Sequence, residues 1–350
     1  MYSGLVIRLD YGESAFQQPV TAKAEVIRHI NNEENGYAPI LGDAILKAKI
    51  IQFLTNKFGL EAEPDQISIV SGGLMGINSV LNYLVKEKNI KHLFYPNPGF
   101  PPYSKLEEYH MIEGLTYDFS NKKVFMEEIR YIAKNFKDAA IIICSPNNPN
   151  GLSLNENEWK MVFELQKEFT IICDDSFENY YFYNNPIVSL CSNCYRVFSF
   201  SKSFSLADFR IGFVVSSEKK SVEYISKYNW DIHLSTSMIA QKAAIGALNS
   251  LGYQEKCKEF VEKQVMDAAK LFIAADITCS YPEGGYFLWL KIPDKYNNSM
   301  DFSIDLLNRK RVQVIPGEYF GDKGEHYFRI NCSTNWLKLK EGIERIIDLY

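Results

Sequence analysis

The sequence predicts an α/β fold with a largely parallel sheet, followed by a smaller α+β part. Between about residues 65 and 215, short β-branched and aromatic runs alternate with segments of helical periodicity. Strands that are apolar along their whole length are buried on both faces, as in a parallel sheet. After about residue 235 the order changes to long helices, then strands and a final helix, which is typical of an α+β unit.

Continuous apolar runs mark the predicted strands of the first region. They are residues 66–70 (QISIV), 91–95 (KHLFY), 139–144 (AAIIIC), 170–174 (TIICD), 196–200 (RVFSF) and 211–215 (IGFVV). Helical patterns lie between them at residues 76–88 and 155–169, and Asn155 is a suitable N-cap for the second helix. This alternation predicts the α/β sheet.

The C-terminal third is predicted to form a second, smaller unit. Helical patterns extend from Ser235 to Ala274, and the strands predicted after them are residues 284–292, 312–317 and 327–333. The first 40 residues have few strand signals, so we expect them to wrap around the other parts.

Composition excludes several classes of function. The net charge is −5 and no block is rich in Lys or Arg, so a nucleic-acid partner is not predicted. No apolar run reaches the length of a membrane span, and the N-terminus does not resemble a signal peptide. Seven cysteines at ordinary spacing favour a reducing cytoplasm over a disulfide scaffold. We therefore expect a cytoplasmic protein with small-molecule partners and no membrane contact.

Cys191 and Cys194 form a close pair in "CSNC". Such spacing is compatible with a redox motif or with half of a zinc site. The sequence has no second pair and no spaced histidines, so ordinary structural cysteines are the favoured interpretation.

Ligands of open α/β sheets bind at the turns that follow the strands. Gly72 and Gly73 precede a helix in "VSGGLMG", where free backbone amides suit a phosphate, although glycines at such turns are often structural. The stiff loop "YPNPGFPPY" presents Phe100 or Tyr103 to a flat ligand, unless these rings belong to the core. Asn148 is held between prolines in "CSPNNPNG", either to donate to a ligand oxygen or to complete a turn.

Two further turns carry charged groups at the ends of apolar strands. Asp174 follows three apolar residues, where a carboxylate is costly without a cationic partner such as a protonated ring nitrogen. Lys202 follows the strand at 196–200, and a desolvated lysine amine is a nucleophile that forms a Schiff base with an aldehyde. Ser199 and Arg210 beside it would bind a phosphate.

Each of these groups matches one part of pyridoxal phosphate, and at these residues the sequence resembles the fold-type I, class I/II aminotransferases. The resemblance extends from "NGYAPILGDAIL" to "YFRINCS". Its most specific motif is S-x-S-K-x-x-S-x-x-x-x-R-I-G at residues 199–212. Chain length and the "SPNNPNG" form resemble the compact branch that contains histidinol-phosphate aminotransferase.

The resemblance implies an architecture and an assembly. A large domain at residues 41–245 would contain a mostly parallel seven-stranded sheet flanked by helices, and residues 246–350 would form a small α+β domain. Residues 1–40 would contribute to the small domain and the active site. A homodimer is implied, because Tyr37 matches a tyrosine that such enzymes lend to the cofactor phosphate of the partner subunit.

The resemblance also implies the cofactor contacts. Lys202 would form the internal aldimine and then shuttle the substrate's α-proton, and Asp174 would pair with the pyridinium nitrogen. Asn148 would hydrogen-bond the ring's O3′, and Phe100 would stack on its face. The implied phosphate ligands are Gly72, Gly73, Ser199, Ser201, Arg210 and the partner subunit's Tyr37.

Substrate contacts are carried over in the same way. Arg329 in "FRIN" matches the arginine that binds the substrate α-carboxylate, unless it is a surface arginine at a strand edge. Gly12 in "LDYGESAF" and Asn148 would also contact the substrate. Glu13 could meet a basic side chain, although a solvated carboxylate is favoured. The 14% aromatic content favours an apolar wall around the substrate side chain.

Two positions depart from the family pattern. The family's D-x-x-Y places a tyrosine on O3′, whereas this chain has Phe177, which cannot donate that hydrogen bond and should leave the aldimine pKa higher. Asp208 stands where a small residue is usual, and it would pair with Arg210 or approach the cofactor.

The implied activity is amino-group transfer between an L-amino acid and a 2-oxo acid. The missing tyrosine keeps a second class open, namely a decarboxylase, a lyase or an oxygen-using amino-acid oxidase or hydroxylase of the same fold. A pyridoxal-phosphate-binding regulator is disfavoured, because the cofactor domain begins within the first 40 residues and leaves no room for an added DNA-binding domain.

Overall fold

The computed structural model describes residues 5–32, 36–183 and 189–350; Asn35, the first residue of the resemblance, lies outside them. The strands are β1 (Ile7–Arg8), β2 (Ile67–Val70), β3 (His92–Asn97), β4 (Glu113–Asp118), β5 (Ala139–Cys144), β6 (Thr170–Asp174), β7 (Cys194–Ser199), β8 (Gly212–Ser216), β9 (Phe287–Lys291), β10 (Val312–Gln313), β11 (Ile315–Pro316) and β12 (Tyr327–Asn331). The helices are α1 (Val20–Asn31), α2 (Ala44–Phe58), α3 (Gly73–Lys88), α4 (Tyr103–His110), α5 (Lys122–Asn135), α6 (Glu156–Glu164), α7 (Phe200–Ser203), α8 (Lys219–His233), α9 (Met238–Leu248), α10 (Tyr253–Ala274), α11 (Ser299–Lys310) and α12 (Trp336–Ile347).

The large sheet has seven strands in the order β2-β8-β7-β6-β5-β3-β4. β8 runs antiparallel to both β2 and β7, and the other four strand pairs are parallel, so the predicted mostly parallel sheet is confirmed. Helices α3 and α8 pack on one face, and α5 and α6 pack on the other. Because both faces are covered, every residue of β5, β6 and β7 is buried, which explains the apolar runs of β5 and β6.

A smaller antiparallel sheet lies in the C-terminal third. Its order is β11-β12-β9, and α10 and α12 share its hydrophobic core. The first residues of the chain join this part, because β1 pairs with β10 and Ile7 and Leu9 enter the same core. The predicted wrapping of the N-terminal segment is therefore divided: its first residues pack in the core of the small sheet, whereas α1 packs on α9 and its Ala22 enters a core shared with α2 and β2.

Several elements differ from their predicted form. β4 was not expected, because it is an edge strand with half-exposed polar residues and lacks an apolar run. The strand predicted at 312–317 divides at Val314, since β10 pairs with β1 while β11 pairs with β12. The predicted helical stretch is broken at Gly252, whose φ of +68° suits glycine. Among the described residues, no helix is long and apolar enough to cross a membrane.

Candidate active site

The carboxyl ends of the central strands face a cavity of about 370 Å³. Asp174 is the last residue of β6, and Lys202 lies one turn beyond the end of β7. The N-terminal segment and the small sheet close the opposite side. The predicted site residues that line this cavity are Gly12, Phe100, Asn148, Asp174, Phe177, Lys202 and Arg329.

Lys202 lies on the one-turn helix α7, which begins directly after β7. Ser199 caps this turn by accepting a hydrogen bond from the Ser201 amide at 3.3 Å. The Lys202 Nζ donates to the carbonyl oxygen of Gly12. Burial, together with the nearby Arg329 cation, lowers the pKa of Lys202 to about 8. The amine is therefore neutral in about a tenth of molecules at pH 7, which is the form that attacks an aldehyde.

Asp174 is a buried carboxylate held by two neutral donors. Tyr103 Oη donates to Asp174 Oδ2 at 2.6 Å, and the Ser176 amide donates to Oδ1 at 3.0 Å. Burial and the carboxylate raise the pKa of Tyr103 well above its usual value, so the phenol keeps the proton that it donates. Within the described parts of the chain, Asp174 forms no ion pair with a cationic side chain. It is thus ready to accept from a protonated ring nitrogen in the cavity.

The variant Tyr103→Phe is expected to lower the free energy of unfolding by about 1.5–3 kcal/mol, because it removes a hydrogen bond to a buried charged group. Tyr117→Phe is the matched control, since Tyr117 is also buried and donates at 2.7 Å to a neutral acceptor, the Ile142 carbonyl. Its expected loss is only about 0.5–1.5 kcal/mol. Urea unfolding of the two apo variants measures the difference, and equal losses would contradict the role of Tyr103.

Arg329 is a buried arginine in the middle of the small sheet. It is 6% exposed on β12, which lies between β11 and β9, so the alternative of a surface arginine at a strand edge is wrong. Its Cζ lies 3.9 Å from the ring centre of Phe287 and 5.1 Å from that of Phe320. Burial lowers its pKa to about 10, which leaves it cationic at neutral pH. Its Nε is buried without a hydrogen-bond partner among the described residues.

Asn148 connects this arginine to the cofactor side of the cavity. Arg329 Nη1 donates to Asn148 Oδ1 at 2.8 Å, and Nη2 donates to the Asp10 carbonyl at 2.8 Å. An arginine has no acceptor, so the asparagine atom that faces it must be the oxygen. The Nδ2 group of Asn148 is then available to donate to an oxygen in the cavity, as the sequence predicted.

The predicted phosphate ligands gather around the N-terminus of α3. Gly72 has a φ of +91°, and a Cβ there would lie 2.4 Å from Arg210 Nη2, so glycine permits this contact. A Cβ on Gly73 would lie 3.1 Å from Ser176 Oγ and 3.3 Å from Ser199 Cβ. Arg210 Nη1 also donates to Ser201 Oγ at 3.4 Å. Free helix amides, hydroxyls and a guanidinium are groups that favour an anion, so this cluster fits the predicted phosphate contacts.

The two departures from the family pattern have different outcomes. Phe177 lines the cavity, and its ring packs edge-on against Tyr286 with centroids 5.2 Å apart, so the carbon ring does occupy this wall. Asp208 does not pair with Arg210 in the structure. Both of its carboxylate oxygens accept from Gln18 Nε2 at 3.0 Å, because the N-terminal segment passes beside it.

Tyr37 lies outside the cavity of its own chain and is 77% exposed.

Sequence reasoning missed Ser176, which lines the cavity beside Gly73, and the contact of Tyr103 with Asp174. A hydroxyl two residues beyond a strand-end aspartate is the signal that could have identified Ser176. In the described ranges, no set of three or more His, Cys, Asp or Glu side chains is placed to bind a metal, so the zinc alternative for "CSNC" lacks further ligands.

These residues fit pyridoxal phosphate. The Lys202 amine suits an aldehyde, the buried Asp174 carboxylate suits a protonated ring nitrogen, and the glycine turn with Arg210 suits a phosphate. The partnerless Nε of Arg329 suits the carboxylate of an amino acid.

Comparisons with known proteins agree with this chemistry. The family described as "Aminotransferase class I and II" matches residues 6–346. The chain is 26% identical to an aspartate aminotransferase of Pyrococcus horikoshii and 27% identical to a (5-formylfuran-3-yl)methyl phosphate transaminase of Methanocaldococcus jannaschii, in each case over 97% of this chain and 90% of the relative.

Among solved structures, a Thermus thermophilus aspartate aminotransferase single mutant superposes with a TM-score of 0.92 at 18% identity, over 99% of this chain and 92% of that chain. This likeness confirms the fold-type I architecture. The suggested closeness to the histidinol-phosphate branch stays a prediction. The chain belongs to the class I and II aminotransferases and is a pyridoxal-phosphate-dependent transaminase.

Proposed function

We propose that the protein transfers an amino group between an L-amino acid and a 2-oxo acid, and that Lys202 holds pyridoxal phosphate as a Schiff base. The observation that supports this most is the single cavity shared by the Lys202 amine, the Asp174 carboxylate and the Arg329 guanidinium. When bound, pyridoxal phosphate supplies an electron sink for the negative charge that develops at the substrate α-carbon. The protein's own residues bind, orient and move the proton.

On the cofactor side, Asp174 holds the protonated ring nitrogen and Asn148 Nδ2 donates to the ring's hydroxyl oxygen. Phe100 packs against the ring face, as the resemblance implies. Gly72, Gly73, Ser199, Ser201 and Arg210 bind the phosphate. Tyr103 keeps the Asp174 carboxylate in place through the 2.6 Å hydrogen bond.

On the substrate side, Arg329 binds the α-carboxylate. Its contacts with Asn148, the Asp10 carbonyl and the Phe287 ring fix the plane of the guanidinium before substrate arrives. Gly12 closes the cavity above the lysine, and its carbonyl holds Nζ. Lys202 would take the α-proton at Nζ and pass it on to a different carbon, a role that suits an amine with a pKa of about 8.

We also propose a homodimer in which Tyr37 binds the cofactor phosphate of the partner subunit. Tyr37 is 77% exposed, and Ile40 and Leu41 beside it are 44% and 50% exposed. Several apolar side chains exposed close together in the sequence support an interface. A cross-linking or sedimentation measurement of the purified protein tests this assembly.

The chain divides, in our proposal, into an N-terminal segment (1–40), a cofactor domain (41–245) and a small domain (246–350). The core shared by α10, α12 and the small sheet supports a separate small domain, although α9, which contains the proposed boundary, packs in the core of the cofactor domain up to Ala247. The free cysteines of the described residues support a cytoplasmic location. We also propose a role in amino-acid metabolism, in the direction of biosynthesis.

One experiment distinguishes amino-group transfer from the decarboxylase, lyase and oxygen-using activities that the phenylalanine at position 177 keeps open. The holoenzyme is mixed with each common amino acid, without an oxo-acid acceptor, in sealed air-saturated buffer, while the cofactor spectrum and dissolved oxygen are followed. Stoichiometric formation of pyridoxamine phosphate with unchanged oxygen supports an aminotransferase. Sustained loss of oxygen supports an oxidase or hydroxylase, and release of carbon dioxide supports a decarboxylase.

The variant Phe177→Tyr is expected to lower the pKa of the lysine–cofactor chromophore by about one to two units. A phenol at this wall donates to the charged ring oxygen, and such hydrogen bonds contribute about 1.5–3 kcal/mol against 1.36 kcal/mol per pKa unit. A spectroscopic pH titration measures the change. Phe163→Tyr on α6, outside the cavity, is the control with an added hydroxyl, and an unchanged pKa in Phe177→Tyr would refute this role of the position.

A further inference from the structure

We propose that the site selects L-amino acids with a large apolar or aromatic side chain and discriminates against those with a second carboxylate. This substrate class rests on the proposed amino-group transfer. We infer this class from the residues that line the cavity but bind neither the cofactor nor the substrate α-carboxylate in the proposed function.

The charged and amide side chains of the cavity already bind the cofactor or the α-carboxylate, which every amino-acid substrate has. Lys202 and Asp174 serve the cofactor, Asn148 bridges to Arg329, and Arg329 binds the α-carboxylate. The part of the lining that is free to contact a side chain is formed by Pro101, Phe287, Ile315, Tyr319 and Phe320. This surface is apolar except for the Tyr319 hydroxyl.

Strand register places this apolar wall next to the α-carboxylate site. Ile315 on β11 lies directly opposite Arg329 on β12, and opposite residues of an antiparallel pair project from the same face. Phe320 follows in the next turn and packs on the Arg329 guanidinium. A side chain on the α-carbon of a substrate held by Arg329 therefore lies against Ile315 and Phe320, where apolar groups gain by leaving water.

The charges around the cavity oppose a second carboxylate. Of the described residues that line it, only Lys202 and Arg329 are cationic, and both are engaged. Glu13 adds negative charge near Lys202, since its carboxylate raises the pKa of that lysine. A distal carboxylate would lose its hydration without gaining a cation, which is costly.

Binding of amine-free analogues to the holoenzyme tests this selectivity without any chemical turnover. Isothermal titration calorimetry compares 3-phenylpropanoate, succinate and propanoate. We expect 3-phenylpropanoate to bind at least about tenfold more tightly than succinate, the ratio expected when one ligand fills an apolar pocket and the other does not. Tighter binding of succinate would overturn the proposal and would indicate a further cation from a second copy of the chain.

Two variants locate the selectivity. Ile315→Ala should weaken 3-phenylpropanoate about tenfold and leave propanoate unchanged. Ile304→Ala, at a position 51% exposed on α11, is the control and should change neither affinity. Equal weakening of both ligands by Ile315→Ala would contradict a side-chain pocket at this wall. The two proposals fail separately. If no amino acid yields pyridoxamine phosphate, amino-group transfer is refuted. The order of the affinities for 3-phenylpropanoate, succinate and propanoate tests the substrate class alone.

Discussion

The variant Lys202→Ala is expected to lose the lysine–cofactor chromophore and to turn over at least about 10³-fold more slowly than the native protein, because it removes both the covalent anchor and the proton-transferring base. The Lys202 amine lies in the cavity and donates to the Gly12 carbonyl, and no other lysine is among the described residues that line this cavity. Stability should not fall, since alanine removes a buried cation that costs free energy to desolvate.

Absorbance spectra, single-turnover rates and urea unfolding measure these effects. Lys105→Ala is the control, because Lys105 is solvent-exposed on α4 and pairs only with Glu108 at the surface. Lys202→Arg keeps the positive charge but cannot form the Schiff base, so it should lose the chromophore as well. A native rate in Lys202→Ala would show that another group bears the chemistry.

The variant Arg329→Gln should lower kcat/KM for an amino acid by about 10²–10³-fold, because it removes the charged partner of a desolvated carboxylate. The loss should appear mainly in KM, and the lysine–cofactor chromophore should remain. Arg329→Lys should be nearly as impaired. A single ammonium group cannot reach the Asn148 Oδ1, the Asp10 carbonyl and a substrate carboxylate together.

Steady-state kinetics across a range of amino-acid concentrations separate the two constants. Arg309→Gln is the matched control, since Arg309 lies on the exposed surface of α11 and pairs with Asp305. Unchanged KM in Arg329→Gln would mean that the substrate carboxylate binds elsewhere. A loss of chromophore would mean instead that Arg329 acts on the cofactor.

Short sequence patterns predicted the buried strands, the helix cap and the charged residues at strand ends, because each of these depends on a few neighbouring residues. β5 and β6 are continuous apolar runs because both faces are covered, and their carboxyl ends place Asp174 at the cavity. Asn155 was predicted as an N-cap, and it caps α6 in a reciprocal capping box with Glu158. Lys202 stood out because a charged residue after a buried strand needs a function.

The remaining features depend on contacts between distant segments. Arg329 bonds to Asn148 across 181 residues and Tyr103 bonds to Asp174 across 71, so no local pattern reveals either pair. Asp208 was predicted to pair with Arg210 or to approach the cofactor, whereas in the structure its carboxylate accepts from Gln18, 190 residues away. β4 gave no signal, since an edge strand need not be apolar.

The central claim, that Lys202 holds the cofactor, has one direct measurement. The holoenzyme is reduced with borohydride, digested with a protease and mapped by mass spectrometry. The structure predicts a phosphopyridoxyl group on the peptide containing Lys202 and on no other lysine. A group on a different lysine, or reduction that leaves every lysine unmodified, would contradict the assignment of this active site.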